Sequence, residues 1–166
     1  MGHDESWNHY FLEMVSFIAS KSKDTSTKVG AIIVGPDNEI RSTGYNSFPR
    51  GINDEYMERQ ERPEKYFWIE HSERNAIYNA SRIGVSLKNC KMYTTGVPCM
   101  DCARGIVQSG IVEVVVHDLS YDSTLWKEHS KWTIILFEES GVKLRNYDGE
   151  IHNKIFVRRD GKEVYL

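Results

Sequence analysis

The sequence predicts an α/β fold in which helices cover a mixed β-sheet. From Ser72 onward the chain reads helix, strand, helix, strand, helix, strand, with short joining loops. That order implies a parallel sheet flanked by helices. Ahead of it, two runs on either side of Gly35-Pro36-Asp37-Asn38 read as a hairpin and add an antiparallel edge. An apolar stripe at helical spacing near the N-terminus supplies one more covering helix.

Each element has its own signal. Trp7, Tyr10, Phe11, Met14, Val15 and Ile18 recur at helical spacing, and the polar stretch Ser20 to Thr27 ends that pattern. Val29 to Val34 is β-branched and reads as a buried strand, and Ile40 to Tyr45 returns beside it. Ser47 to Glu70 is a long, charge-rich connection with Pro49 and Pro63. A connection of that length is functional or carries a short helix of its own. Ser72 to Ile83 reads as a helix closed by Gly84. Cys90 to Thr95 is a strand, Cys99 to Ser109 a helix closed by Gly110, and Val112 to His117 a buried strand. Ser123 to Ser140 is a helix ending at Gly141, with Trp126, Trp132 and Phe137 expected to face the sheet. A short strand follows at Val142 to Arg145. Asp160-Gly161 within Ile155 to Tyr165 is a hairpin signal. The expected organisation is one domain over residues 1–147 and a C-terminal extension over residues 148–166.

Composition narrows the function classes. The 166 residues suit a single domain, and 40% hydrophobic with 27% charged residues excludes wholesale disorder. The 21 basic residues fall short of the 24 acidic ones, for a net charge of −3. Phosphate contacts along a polymer need clustered Lys and Arg, so no nucleic-acid polymer is expected as partner; Arg158-Arg159 is too small a cluster to reverse that. Apolar runs such as Ala31 to Val34 are far shorter than a membrane span, so no membrane partner is expected. Three sparse cysteines and the lack of an apolar leader point to a cytoplasmic chain, not a secreted disulfide scaffold. Met1-Gly2 matches the loose N-myristoylation pattern, but acidic residues follow it and no polybasic patch supports it.

The candidate site draws on two helix starts. His71-Ser72-Glu73 opens one helix, Pro98-Cys99-Met100-Asp101-Cys102 opens the next, and a strand joins them. Cys99 and Cys102 stand three apart and share one helix face. A helix N-terminus lowers a thiol pKa and so helps supply thiolates to a metal. One imidazole and two thiolates make three tetrahedral Zn2+ ligands, and an open fourth position marks a catalytic zinc site. Glu73 is two residues from a ligand, within reach of the bound water. Cys90 is either a fourth ligand closing the site or a small buried hydrophobe, the latter favoured. A thioredoxin-like pair is another reading of C-x-x-C, but it needs neither His71 nor Glu73. His3, His9, His117, His129 and His152 lack ligand spacing and read as core or surface residues.

H-x-E followed by P-C-x-x-C is the known signature of zinc nucleobase deaminases. With the surrounding residues it resembles the cytidine deaminase superfamily, and within it the deoxycytidylate (dCMP) deaminases. The wider signs are Ser22-Lys23-Asp24 before Lys28-Val29-Gly30-Ala31, Gly44-Tyr45-Asn46-Ser47-Phe48-Pro49-Arg50-Gly51, Glu73-Arg74-Asn75-Ala76-Ile77, Gln108-Ser109-Gly110-Ile111 and Tyr121-Asp122-Ser123. The resemblance covers about residues 7 to 147.

It implies a three-layer α/β/α cytidine-deaminase-like fold around a five-stranded mixed sheet. It also implies hydrolysis of dCMP to dUMP and ammonia, with His71, Cys99 and Cys102 on zinc and Glu73 as proton shuttle. Zinc lowers the pKa of its water from about 15.7 toward about 7. That corresponds to about 12 kcal/mol at 1.36 kcal/mol per unit, and it supplies hydroxide as nucleophile. The Ser72 N–H would face the pyrimidine carbonyl, Asn46 would contact the sugar, and Ser22, Lys23 and Tyr121 would contact the 5′-phosphate. In relatives the loop at Ser47, Pro49 and Arg50 helps bind the effectors dCTP and dTTP with Mg2+, and the chains are often homohexamers. Two departures stand out: Ser72 replaces the family's usual Ala, and Ser47 its usual Gly. The alternatives are a deaminase of another cytosine or purine compound (dCTP, deoxycytidine, guanine) and a non-catalytic zinc-stabilised module of the same fold.

Overall fold

The computed structural model describes the backbone of residues 3–118, 124–151, 156–159 and 162–165, and the side chains over 5–117 and 127–151. Five strands form one mixed sheet: β1 (Gly30–Val34), β2 (Ile40–Tyr45), β3 (Lys91–Gly96), β4 (Glu113–Asp118) and β5 (Lys143–Asn146), in the order β2-β1-β3-β4-β5. β1 runs antiparallel to both β2 and β3, while β3, β4 and β5 are mutually parallel. The hairpin edge and the parallel half expected from the sequence are both present.

Helices cover both faces, which makes three layers. Ile32, Val34, Tyr93 and Val115 pack against Phe11, Leu12 and Val15 of α1 (His3–Ala19). Their neighbours Ala31, Ile33, Met92, Val114 and Val116 face the other way. There they meet Ala76 and Ala80 of α3 (Ser72–Ile83), Ala103 and Ile106 of α4 (Met100–Gln108) and Phe137 of α5 (Thr124–Ser140). The two-residue alternation along β1 thus serves two cores, and all five of its residues are buried. Each such aliphatic or aromatic side chain contributes about 1.5–3 kcal/mol when fully buried.

Two helix faces differ from the sequence expectation. On α1 the buried stripe is Asn8, Phe11, Leu12, Val15 and Ala19, while Tyr10 is 48% exposed. Tyr10 lies off the buried stripe, and Leu12 is part of it. On α5, Thr133 and Phe137 are buried one turn apart, while Trp132 is 50% exposed. Trp132 therefore lies off the sheet-facing stripe; the Trp126 side chain is outside the described residues.

The long connection carries a 3-10 turn (Met57–Gln60) and a short helix α2 (Lys65–Trp68). Its two ends are clamped by a bridge: the Ser47 N–H donates to the Glu70 carbonyl (3.0 Å) and the Glu70 N–H to the Ser47 carbonyl (2.8 Å). A separate antiparallel ribbon pairs β6 (Phe156–Arg159) with β7 (Lys162–Tyr165), as the Asp-Gly signal predicts. No helix among the described residues is long and apolar enough to cross a membrane.

Two glycines are required by geometry. Gly84 takes the left-handed conformation (φ 74°) that ends α3. Gly44 of β2 lets α3 lie directly on the sheet: a Cβ there would come within 2.3 Å of the Ser72 carbonyl and 2.4 Å of the Ala76 nitrogen. Both are backbone atoms, so the helix itself would have to move. Gly44→Ala is expected to destabilise the fold by at least the about 1–3 kcal/mol of an overpacked core. Because α3 begins with the site residues, it should also reduce zinc retention. Urea unfolding and metal analysis of the purified variant check both.

Candidate active site and metal centre

The site forms where α3 and α4 begin. His71 is the N-cap of α3 and Cys99 the N-cap of α4, both with extended backbone (φ −75°, ψ 153°; φ −68°, ψ 165°). Neither side chain caps its own helix. They turn toward each other instead. His71 Nδ1 lies 3.5 Å from Cys99 Sγ and 3.6 Å from Cys102 Sγ. All three donor atoms lie within 4.8 Å of one another. Zinc bonds of about 2.0 Å to nitrogen and about 2.3 Å to sulfur at a tetrahedral angle put N and S about 3.5 Å apart. The donor set therefore fits zinc in both chemistry and spacing.

Neighbouring elements hold the two helix starts. Thr133 of α5, fully buried, donates its hydroxyl to the Pro98 carbonyl at 2.8 Å. The Met100 N–H donates to His129 Nδ1 at 3.4 Å. Arg74 ties the pair together, donating to Glu70 (Nε to Oε1, 2.5 Å) and lying 3.7 Å from Asp101 of α4.

The electrostatics prepare the sulfurs unequally. A hydrogen bond from the Cys102 thiol, with help from His71, brings Cys99 down to about 4. The same thiol pairing and then burial push Cys102 up. Burial alone would lower the His71 imidazole, but its bond to Cys99 and the Glu73 charge outweigh that and raise it. Cys99 is thus a ready thiolate, while Cys102 gives up its proton only when a metal replaces it.

Glu73 is 5% exposed, and its Oε2 accepts a hydrogen bond from the Ser72 hydroxyl at 3.0 Å. Glu73, Ser72, His71 and Cys99 line one cavity together with Asn46, Asp24, Thr27 and Val29. The long connection closes it with Arg62, Lys65, Tyr66 and Ile69.

A buried ion pair stiffens that wall. Lys65 Nζ donates to Asp24 Oδ1 (3.0 Å), Asp24 Oδ2 (2.8 Å) and Ser26 Oγ (2.7 Å). Burial works to raise the Asp24 carboxyl, but Lys65 and the Ser26 and Thr27 amides more than offset it and lower it. Asp24 in turn orients Asn46, whose Nδ2 donates to Asp24 Oδ2 (3.2 Å) and to the Thr27 carbonyl (2.8 Å). The Val29 N–H donates to Asn46 Oδ1 at 2.8 Å.

The other residues named from the sequence fall elsewhere. The Ser22 hydroxyl is buried and donates to the Asn46 carbonyl (2.8 Å), so it braces the wall from behind. Lys23 pairs with Asp54 at 2.6 Å in a second pocket, which Ser47, Pro49 and Arg50 also line. The structure brings Lys23 to the loop residues and not to His71. Tyr121 lies outside the described residues. Cys90 is buried in the sheet–helix core, away from the donor cluster, which leaves three ligands and not four among the described residues. Sequence reasoning did not single out Asp24, Lys65 or Arg62 as wall residues. Asp24 sits inside a quoted motif, and residues 62, 65, 66 and 69 follow helical spacing, but nothing local signals that Lys65 meets a residue 41 positions away.

Comparison with known proteins agrees with this geometry. Residues 5–118 match the family model for the cytidine and deoxycytidylate deaminase zinc-binding region. The chain belongs to this deaminase family. It is 36% identical over 160 residues to the deoxycytidylate deaminase of Mus musculus, covering 93% of this chain and 86% of the relative. With the Homo sapiens deoxycytidylate deaminase it shares 35% identity over 147 residues, covering 85% and 79%. The dCMP deaminase of cyanophage S-TIM5, solved with dCMP and dUMP, shares the fold: TM-score 0.66 at 22% identity, over 89% of this chain and 98% of that one. Family membership and the His/Cys/Cys cluster together identify zinc as the metal.

Loss of a metal ligand should weaken zinc binding by more than the about 10–100-fold that outer partners alone are worth. Cys102→Ser is expected to do so and Cys90→Ser to leave affinity unchanged, in competition with a chromophoric chelator. Affinity should rise from pH 6 to pH 8, because Cys102 must lose its proton. The Asp24 carboxyl is lowered, so its contribution is present above the ordinary carboxylate range and lost as pH falls through its folded value. Lys65→Met should therefore cost about 3–5 kcal/mol at neutral pH, the value for breaking a buried pair. That deficit should shrink in acid, where denaturant titrations at both pH values would show it.

Proposed function

We propose that this chain is a zinc-dependent hydrolytic deaminase that converts dCMP and water to dUMP and ammonia. The observation that carries this is the buried Glu73 carboxylate on the wall of the cavity that His71 and Cys99 share. The deoxycytidylate deaminases of mouse and human, similar over most of the chain, support dCMP as the substrate.

His71, Cys99 and Cys102 hold the zinc, which supplies a Lewis acid that makes water nucleophilic near neutral pH. Glu73 takes the proton from the attacking water and delivers it to the ring nitrogen beside the amine-bearing carbon. As the carbon–nitrogen bond breaks, Glu73 carries the proton of the newly added hydroxyl to the departing ammonia, and that oxygen becomes the carbonyl of dUMP. The Ser72 hydroxyl fixes the Glu73 carboxylate, and the Ser72 backbone N–H faces the pyrimidine carbonyl. Asn46 receives the sugar. Both of its amide hydrogens are spent on Asp24 and Thr27, while Oδ1 has one lone pair left after Val29. Asn46 therefore accepts a hydrogen bond from a sugar hydroxyl and donates none.

The second pocket suits an effector. Lys21, Lys23 and Arg50 line it with Ser47 and Pro49, and Asp54 offers a carboxylate. That set fits a nucleoside triphosphate, dCTP or dTTP, with Mg2+. Lys23 belongs to this effector seat and not to the 5′-phosphate of the substrate. A homo-oligomer, a hexamer by family resemblance, is consistent with apolar side chains left in solvent, such as Ile83 (73% exposed) and Phe17 (63% exposed). Three free cysteines support a reducing, cytoplasmic setting.

Ammonia release from dCMP, CMP, deoxycytidine, dCTP and guanine tests the reading, with dCMP expected to react fastest. Glu73→Ala should retain zinc while turnover falls by at least the about 10²–10⁴-fold of a lost general acid–base group. A near-normal rate would remove Glu73 from the mechanism. Rates measured against added dCTP and dTTP should change in opposite directions; a flat response would dismiss the effector seat.

A further inference from the structure

A dianionic 5′-phosphate entering the cavity needs a cation with donors to spare, since Glu73 already places negative charge inside. The cations near the site can be accounted for one by one. Lys65 is buried, and its three ammonium hydrogens are matched by three acceptors, two on Asp24 and one on Ser26. It neutralises Asp24 and has no donor left. Lys23 opens on the second pocket and is held by Asp54. Arg74 is committed to Glu70. Arg62 lines the cavity, is exposed, and makes no hydrogen bond or ion pair with the described residues.

The backbone explains why Arg62 faces inward. Residues 62, 65, 66 and 69 all line the cavity. Lys65 and Tyr66 belong to α2, Ile69 follows its end and Arg62 lies three residues ahead of it, where the Lys65 N–H donates to the Glu61 carbonyl at 2.8 Å and folds this stretch back onto the helix start. Lys65 is pinned to Asp24, so the pair that orients Asn46 also anchors the segment that brings Arg62 to the cavity wall. The cavity lining thus includes a guanidinium (Arg62), an acceptor for a hydroxyl (Asn46) and a proton carrier (Glu73). A nucleoside 5′-monophosphate carries one group to match each.

Resting on the dCMP reading above, we propose that Arg62 binds the 5′-phosphate and is the residue that makes the enzyme prefer a nucleotide over a nucleoside. The guanidinium matches phosphate with a planar fork of donors, and charge-assisted bonds of this kind are about twice as strong as neutral ones. Its exposure keeps the cost of desolvating the unliganded guanidinium small.

The test compares wild type, Arg62→Ala, Arg62→Lys and Lys23→Ala on dCMP and deoxycytidine. Binding of dUMP and deoxyuridine is followed in parallel by calorimetry. Arg62→Ala should raise KM for dCMP and Kd for dUMP by about tenfold or more, the value of a bond to a charged group. Its kcat on dCMP and its kcat/KM on deoxycytidine should stay within about twofold, and Arg62→Lys should restore part of the loss. Lys23→Ala should not separate dCMP from deoxycytidine: whatever factor it costs should be common to both, because Lys23 lies in the other pocket. The proposal is overturned if Arg62→Ala leaves dUMP binding unchanged, or weakens deoxyuridine equally. The failures separate cleanly: wild type that deaminates deoxycytidine but not dCMP sinks the functional reading and this assignment with it. Wild type that prefers dCMP, with Arg62→Ala keeping that preference, sinks this assignment alone.

Discussion

Everything at the site depends on two helices starting at the same point in space. His71 and Cys99 are 28 residues apart, yet their donor atoms are 3.5 Å apart. The crossover from α3 through β3 to α4 produces that meeting. β3 lies between the two helices in sequence, both helices pack on one face of the sheet, and their first turns converge at one end of it. A helix start adds a second benefit, because its unpaired N–H groups favour the thiolate over the thiol. Topology and electrostatics act on the same atoms.

The packing beneath tolerates little variation. α3 rests on Gly44 with no room for a methyl group, so the depth of His71 and Glu73 is set by backbone touching backbone. Pro98 is anchored from α5 through Thr133, which fixes the second helix start from the opposite side. Charge then fills the gaps that packing leaves. Arg74 bridges the segment before α3 to α4, and Lys65 ties the long connection to Asp24. Buried ion pairs add little net stability against apolar substitutes, but they are costly to break one partner at a time. Here the pair fixes which way an amide points, which is a matter of orientation more than of stability.

Much of this was legible in the sequence. The strand and helix order survives nearly residue for residue, because those elements carry two-residue or helical periodicity and clear glycine stops. His71, Glu73, Cys99 and Cys102 were legible because each sits at a fixed offset from a helix start. The rest depended on contacts that sequence spacing does not encode. Lys23 read as a substrate contact, yet Asp54, from a different segment, draws it to another pocket. Lys65 read as one charge in a charged loop, yet it is buried against Asp24. Tyr10 and Trp132 read as sheet-facing because apolar periodicity marks a stripe only to within one residue.

The Ser47–Glu70 bridge closes the long connection at its base. Two backbone hydrogen bonds close residues 48–69 at their base, so this segment leaves and rejoins the framework at a single point. Backbone bonds at that junction make no demand on side-chain identity. Apart from Lys65, which Asp24 requires, the segment can therefore change length or composition with little demand on the sheet or the metal ligands. The chemistry and the cavity wall are physically separable in this architecture: the framework carries the metal ligands and Glu73, while the closed segment contributes Arg62, Lys65, Tyr66 and Ile69 to the wall.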